Sequence, residues 1–526
     1  MMGKKKNNFL IRTSLAFITG VCTVFFSSPV LTVDADSKTV NGVVSNNIHE
    51  NDYSGTGSVD ICSLVNNNNG TFSRVEFMQD IILVETYNTK CQLLSQRFVK
   101  PELQIYGGCF NGGNCNYILY GNENLSNDPK KETVRVVKYS KDWQRLGAAS
   151  LYGCNTQMPF ENCNVDLSEY GDNVFVRMGH RTYDGNHAVM SFSFSASSFE
   201  VRDIISSDKD TEKGCYSDSA ATYIDTSDGY VVAADHSLID PYACVVSRYD
   251  KQAGEEKFVS HVSRAYALRM ENGEAKLGGF ESSPQYYLAV GCGSPQDGTS
   301  PNMNVFVSSV PKNGFGSNVE LAYLTGYAYG DGNTVMMPYL LKVDNDNFAV
   351  IWECRDGYGE TATVNYTYID GAGNMKGEVQ AMDGCLSDCR PLLVGNTIYW
   401  YTTDGSSLKI YSIPAYASAK QKSPSVKAAQ EYKGVDYSRV FDYSYYVSRY
   451  PDMRVLFEKQ PEKALEHFVS VGMAEGRQGC ENFNPAAYKA NYADIRKAYG
   501  NNWTQYYLHF MKIGYAEGRN ARNYND

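Results

Sequence analysis

From about Ser73 to Pro414 the chain is written in short runs with a two-residue rhythm. Asn173-Val174-Phe175-Val176-Arg177 and Met190-Ser191-Phe192-Ser193-Phe194 alternate, as does Val134-Arg135-Val136-Val137-Lys138-Tyr139. Ile81-Ile82-Leu83-Val84, Gly229-Tyr230-Val231-Val232-Ala233, Tyr286-Tyr287-Leu288-Ala289-Val290, Phe348-Ala349-Val350-Ile351-Trp352 and Thr397-Ile398-Tyr399-Trp400-Tyr401 are more uniformly apolar. Both patterns predict strands. Gly, Asn and Asp punctuate them, and Tyr170-Gly171-Asp172-Asn173 and Asp344-Asn345-Asp346-Asn347 read as hairpin turns. Strand groups begin near Leu103, Asp166, Thr222, Gln285, Leu340 and Leu392. Steps of roughly 50–65 residues without an intervening amphipathic helix fit one four-stranded sheet each, which is the period of a β-propeller blade. The expectation is mainly β, a six-bladed propeller with seven blades as the alternative. Phe77 to Phe98 and the short last group ending near Ile413 would share the closing blade, leaving no open sheet edge at the join.

At the C-terminus the rhythm changes to that of helices. A 42-residue unit occurs twice, at 441–479 and 483–521, and aligns without a gap: Phe441 on Phe483, Tyr446 on Tyr488, Asp452 on Asp494, His467 on His509. Asp442 is placed to cap a helix, Leu465, Phe468 and Val469 share one face, and Gly472 and Gly514 suit helix ends. Two such units are expected to stack into a small all-α domain. The predicted organisation is a signal peptide at 1–35, a flexible segment at 36–72 with Asn66 to Asn69 in a row, the propeller at 73–414, a linker at 415–435 and the two repeats at 436–526.

The signal is read from Lys4, Lys5, Lys6 and Arg12, the apolar run Leu15 to Phe26, and small residues ahead of Asp36. That run is short for a span, no later stretch is long and apolar enough to cross a membrane, and Val21 before Cys22 does not suit a lipid anchor. A secreted or cell-surface location follows as the expectation. A net charge of −11 excludes nucleic acid as the main partner, because phosphate binding needs a basic face. The 14 cysteines of a secreted chain predict some disulfides, with Cys109/Cys115, Cys154/Cys163, Cys215/Cys244 and Cys385/Cys389 as neighbours in sequence. The 41 tyrosines suit strands and half-wet surfaces such as glycan-binding floors.

The tail resembles the Phe-x-x-x-x-Tyr…Pro-Asp…His-Phe…Gly-x-x-Glu-Gly-Arg repeats that end many secreted and surface proteins of clostridia, with Ala493-Asp494 departing from the second Pro-Asp. The resemblance implies attachment to an envelope or a glycan. The β-rich part is similar to a family of secreted clostridial propeller-like proteins through Val136 to Trp143, Gly179 to His187 and Trp352-Glu353. It carries no catalytic assignment.

Candidate chemistry lies at strand ends. His180, Arg181, Asp184 and His187 lie close together, where the histidines could grip a carboxylate or a metal and Arg181 a sugar acid, although a polar hairpin needs the same residue types. Asp235-His236 and Trp352-Glu353 end two other strands, with His236 and Trp352 as further binding candidates. Asp235 with Glu353 is the candidate acid–base pair of a glycosidase. No metal site is expected: Cys385-x-x-x-Cys389 lacks a second pair, and Asp208-x-Asp210 and Asp344-x-Asp346 lack the twelfth-position Glu of a calcium loop. No P-loop, dinucleotide fingerprint or G-x-S-x-G elbow occurs, so no cofactor is expected. These readings lead to a secreted binding protein for a glycan, a cell-wall polymer or a protein ligand, with a polysaccharide hydrolase as the alternative.

Overall fold

A computed structural model describes residues 35–47, 58–206, 215–216, 221–237, 243–252, 262–269, 275–294, 303–327, 334–336, 338–355, 362–416, 430–450, 453, 456–457, 460–480 and 482–522. The chain divides into two compact units, Met1–Ala417 and Ser418–Asp526.

The first unit is a seven-bladed β-propeller, each blade an antiparallel sheet. Blade 1 is Cys62–Asn66, Thr71–Met78, Ile81–Asn88 and Leu93–Val99. Blade 2 is Ile105–Asn111, Cys115–Gly121, Glu132–Ser140 and Arg145–Tyr152. Blade 3 opens with Met158–Pro159 and Val165–Tyr170 and continues through Asn173–Arg181, His187–Ser195 and Val201–Ser206. Blade 4 is Ala221–Asp225, Tyr230–Ser237, Ala243–Gln252 and Val262–Arg269, and blade 5 is Ala275–Ser282, Tyr286–Gly293, Asn304–Pro311 and Glu320–Tyr323. Blade 6 opens with Thr334–Val335 and Tyr339–Lys342, followed by Phe348–Arg355, Ala362–Ile369 and Gln380–Asp383. Blade 7 is Leu392–Val394, Thr397–Thr403 and Leu408–Pro414, completed by Asp36–Thr39 from the other end of the propeller.

Burial follows position in the blade. Second strands are sandwiched between neighbouring blades, so Cys115–Gly121 is buried throughout and Asn173–Arg181 nearly so. Outer strands such as Leu93–Val99 and Glu320–Tyr323 are largely exposed. Apolar clusters fill the interfaces between successive blades around the whole ring. The cluster between blades 3 and 4 is the small one, with Phe175, Ile224, Val231, Ala233 and Tyr249.

The ring has seven blades, the alternative count rather than six, and the closure differs from the one expected. Phe77 to Phe98 belongs to a complete blade of its own, whose first strand, Cys62–Asn66, lies in the segment read as flexible. The partner that closes blade 7 is Asp36–Thr39, antiparallel to Leu408–Pro414 with Asp36 opposite Ser412. The following residues are also tied down. Thr403 N donates to Asn47 Oδ1 at 2.7 Å, Val43 N to Glu85 Oε1 at 2.7 Å, and Arg74 Nη1 to the Val43 carbonyl at 2.8 Å. A polar composition reads as disorder when the strand's hydrogen-bond partners lie more than 350 residues away.

The cysteines are also corrected. Among the described residues, Cys109, Cys115, Cys154, Cys163, Cys244, Cys385 and Cys389 are free thiols. Cys109 enters the core between blades 1 and 2, and Cys115 the core between blades 2 and 3, so these sequence neighbours point to opposite faces of one sheet. The Cys215 side chain, Asp208, Asp210 and residues 1–34 lie outside the described residues.

In the second unit, Glu431–Tyr432 and Val435–Asp436 pair as a short hairpin across the end of the span read as linker. The helices include Tyr443–Arg449, Pro461–His467, Pro485–Asn491, Ala493–Tyr499 and Trp503–His509. Both copies of the sequence unit contain a widened π turn, Phe468–Gly472 and Phe510–Gly514. The matching residues explain one another. Tyr446 Oη meets His467 Nδ1 at 3.1 Å and Tyr488 Oη meets His509 Nδ1 at 2.9 Å. Gly472 and Gly514 leave room for those hydroxyls, since a Cβ at either would collide with the tyrosine oxygen. Among the described residues no helix is long and apolar enough to cross a membrane.

Candidate functional site

The first strand of every blade lines the propeller axis, and these inner strands touch in turn from blade 7 through blades 1 to 6. Charged residues on or just before them therefore converge although they are far apart in sequence. Arg390, two residues ahead of Leu392–Val394, is the hub. Its Nε lies 2.8 Å from Asp60 Oδ2 and its Nη1 3.4 Å from Asp166 Oδ1. Its guanidinium stands 5.3 Å from the Tyr223 ring centre. One arginine of blade 7 thus joins the inner strands of blades 1, 3 and 4.

More acid surrounds it than one arginine neutralises. Asp388 Oδ2 accepts from Ile61 N at 3.1 Å, and burial, reinforced by the nearby Asp60, pushes its pKa up to about 7. Glu281, on the inner strand of blade 5, accepts from Lys342 N at 3.4 Å, and burial with Asp225 nearby pushes it up to about 8. Burial raises Asp166 to about 6 against the opposing pull of Arg390. Beside Asp60 and Arg390 opens a cavity of about 160 Å³, bordered also by Ser63, Gly108, Phe110 and Asn111. Gly108 adopts φ 110°, a left-handed conformation that favours glycine. The arrangement is a small recess walled by a fixed cation, Arg390, the Asp60 carboxylate and the side chains of Ser63 and Asn111, while Asp388, Asp166 and Glu281 stand outside its lining. Among the described residues no group of three or more His, Cys, Asp or Glu is placed to hold a metal ion.

The residues singled out from sequence lie elsewhere. Asp235 is a clamp between blades 3 and 4: Arg177 Nε donates to its Oδ1 at 2.9 Å, Arg177 Nη2 to its Oδ2 at 2.6 Å, and Thr222 Oγ1 to Oδ1 at 2.5 Å. This polar clamp sits where the apolar cluster is smallest. Glu353 is fully buried, accepting from Arg355 Nε at 2.5 Å and from Leu386 N at 2.7 Å, which ties blade 6 to the segment entering blade 7. Trp352 is buried in the core between blades 5 and 6. His236 is buried between strands, and burial, with Lys276 adding to it, lowers its pKa to about 4, so the ring is neutral at pH 7.

The cluster on blade 3 is brought together in part. Arg181 and His187 are cross-strand partners that converge on Glu161, a residue absent from the sequence reading. Glu161 Oε2 lies 3.0 Å from His187 Nε2 and 3.4 Å from Arg181 Nε. His180 points the other way into the blade, with Nδ1 2.9 Å from Thr156 Oγ1. Asp184 organises the turn, accepting from Thr182 Oγ1 and, at 2.9 Å, from Asn186 Nδ2. The hydrogen bond from Thr182 is the main reason its carboxyl stays below the usual range. The axial residues left one faint trace in the sequence: Asp60, Asp388 and Arg390 each stand just ahead of a short strand. Turn residues stand there equally often.

No family model and no curated protein matches the chain. Among solved structures it is similar to the β-propeller domain of the Trilobed protease from Pyrococcus furiosus, at 10% identity and TM-score 0.38, covering 67% of this chain and 95% of that one. Prolyl oligopeptidase B from Galerina marginata is 7% identical with TM-score 0.39, and 68% of this chain covers 50% of that one. The chain thus spans about half the length of that enzyme. GH43B of the Bacteroides ovatus xyloglucan PUL is 10% identical with TM-score 0.31, covering 72% of each chain. These likenesses are of fold and carry nothing about activity.

Proposed function

We propose that the protein is a secreted, surface-associated binding protein. The propeller presents the ligand site, and the C-terminal helices hold it at the envelope. The observation that carries this reading is the condition of the two candidate acids. Asp235 and Glu353 sit on second strands two blades apart, and each is occupied by an arginine and a further donor. A glycosidase needs one carboxyl to hand over a proton and another to activate water or attack, both facing substrate. Carboxylates spent on joining blades do neither. The axial recess gathers Arg390, Asp60, Ser63 and Asn111 at one wall, where a ligand would compete with the Cys109 carbonyl for the Ser63 hydroxyl and with Asn66 N and Lys141 Nζ for Asn111 Oδ1. The ligand class we favour is an extracellular glycan or cell-wall polymer.

One observation keeps a hydrolase as the second reading, through different residues. Burial raises Asp388 to about 7 and Glu281 to about 8, so the first is about half and the second mostly protonated at neutral pH, as a general acid requires.

The test is to incubate the chain from residue 36 onward with cell-wall and host-glycan fractions, and to assay the same tubes for bound protein and for new reducing ends. Binding without release supports the proposal. Release that disappears in Asp388→Asn moves the function to hydrolysis at the axis. Neither signal defeats the glycan reading and directs the search to a protein ligand. Deleting residues 436–526 should abolish association with the cell surface while the propeller stays folded. Unchanged association sinks the role given to the tail.

A further inference from the structure

The two copies of the C-terminal unit match in sequence but not in surroundings. In the first copy the closing turn is covered. Met473 is buried, and Gly476 lies under the Trp503 ring so closely that a Cβ would stand 3.1 Å from Trp503 Cδ2. Tyr507 Oη donates to the Arg477 carbonyl at 2.7 Å, and the Tyr507 ring meets Phe468 edge-on at 5.7 Å. The cover is the helix Trp503–His509 of the second copy, which offers an indole and, four residues on, a phenol.

Moving 42 residues along reaches the same mould on the second copy: Phe510, Tyr515, Gly518 and Arg519. Gly518 has the same left-handed φ, 66° against 75° at Gly476, but no described residue lies within 4 Å of a Cβ placed on it. Tyr515, the counterpart of buried Met473, is 56% exposed, and Ile513 beside it is 47% exposed. Arg439 stacks on the Tyr515 ring at 4.3 Å and donates to the Met511 carbonyl at 2.8 Å, so the ring is held in place at the surface. At the other end of the pair the corresponding helix, Pro461–His467, is already used. Ala464 and Leu465 are buried in the tail's own core, and Tyr432 Oη donates to Glu466 at 3.1 Å. Among the described residues, a second copy of this chain therefore has no free helix of the required kind to offer.

We propose that the face around Tyr515 and Gly518 docks a further unit of the same kind carried by a partner polypeptide. The partner presents a helix with two aromatic side chains four residues apart. The interface between the two copies is the template: an aromatic ring lies flat on the glycine of the closing turn, and a tyrosine hydroxyl bonds the next carbonyl.

The test uses the full chain extended by a third copy of residues 480–521 placed after Ala521, with a protease site at the new junction. After cleavage at micromolar concentration, the third unit should co-elute with the chain. In the Tyr515→Glu form, changed at an exposed position that leaves the existing pair folded, it should dissociate, with at least about tenfold weaker binding. A cleaved unit that leaves the unaltered chain overturns the proposal, and so does one that stays equally well on the Tyr515→Glu form.

Discussion

Glu281→Gln should make the protein more stable in mild alkali and change it little in mild acid. Glu281 titrates near 8 in the folded protein because burial and the neighbouring Asp225 oppose its charge. In the unfolded chain it titrates near 4.3. Between these values the folded state binds the extra proton, so the wild type loses stability as pH rises through the window. A shift of this size corresponds to an upper bound of about 5 kcal/mol. The side chain is half-buried, and the figure discounted for solvent screening is about 2–3 kcal/mol. Glutamine keeps an oxygen for Lys342 N and does not titrate. With an unfolding entropy of ~2.1 cal/mol/K per residue over a propeller of roughly 350 residues, this amounts to about 3–4 °C. The assay is the thermal midpoint by far-UV circular dichroism at pH 5 and pH 8.5. The expected result is a gain of about that size for the variant at pH 8.5 and only about a fifth of it at pH 5, where the unfolded carboxyl has already begun to ionise. An equal shift at both pH values, or a loss at pH 8.5, would refute the view that Glu281 is a carboxyl strained by burial at the axis.

Three further outcomes follow from the geometry. Asp235→Ala strands the buried Arg177 guanidinium and should destabilise the propeller by about 3–5 kcal/mol. The Arg177→Leu, Asp235→Ala double variant should recover part of this in chemical denaturation, because the loss comes from an unpaired charge. His236 stays neutral in the fold down to about 4, so the wild type should lose up to ~3 kcal/mol as pH falls from 6.5 to 4. His236→Leu should flatten that limb of the stability–pH curve. Gly514→Ala drives a Cβ into the Tyr488 hydroxyl and breaks its bond to His509, lowering the tail's thermal transition by ~2 kcal/mol while the propeller transition stays in place.

Hairpin turns at Tyr170–Asn173 and Asp344–Asn347 were legible because turn chemistry is local: Val165–Tyr170 pairs directly with Asn173–Arg181, and Asp344 N bonds the Asn347 carbonyl at 3.1 Å. The site was far less legible. Asp235 and Glu353 look catalytic in sequence because each is an acid at the end of an apolar run. Their arginine partners show them to be blade fasteners, and Arg177 is 58 residues from Asp235. Trp352 and His236 look like ligand contacts, but the adjacent blade covers both.

By itself the sequence determined the class of each element. Two-residue alternation and Gly, Asn and Asp turns dictate strands, and the repeated aromatic, His and Gly positions of the tail dictate two matching units, since these depend on residues a few positions apart. Only the tertiary structure decided the blade count, the closing partner and the axial cluster. Asp36–Thr39 reads as polar coil until Leu408–Pro414 supplies its hydrogen bonds. Asp60, Asp166 and Arg390 form a group only because a ring of seven sheets brings their inner strands to one axis. Closure is a property of the whole circle of blade interfaces, so no local stretch of the chain encodes it.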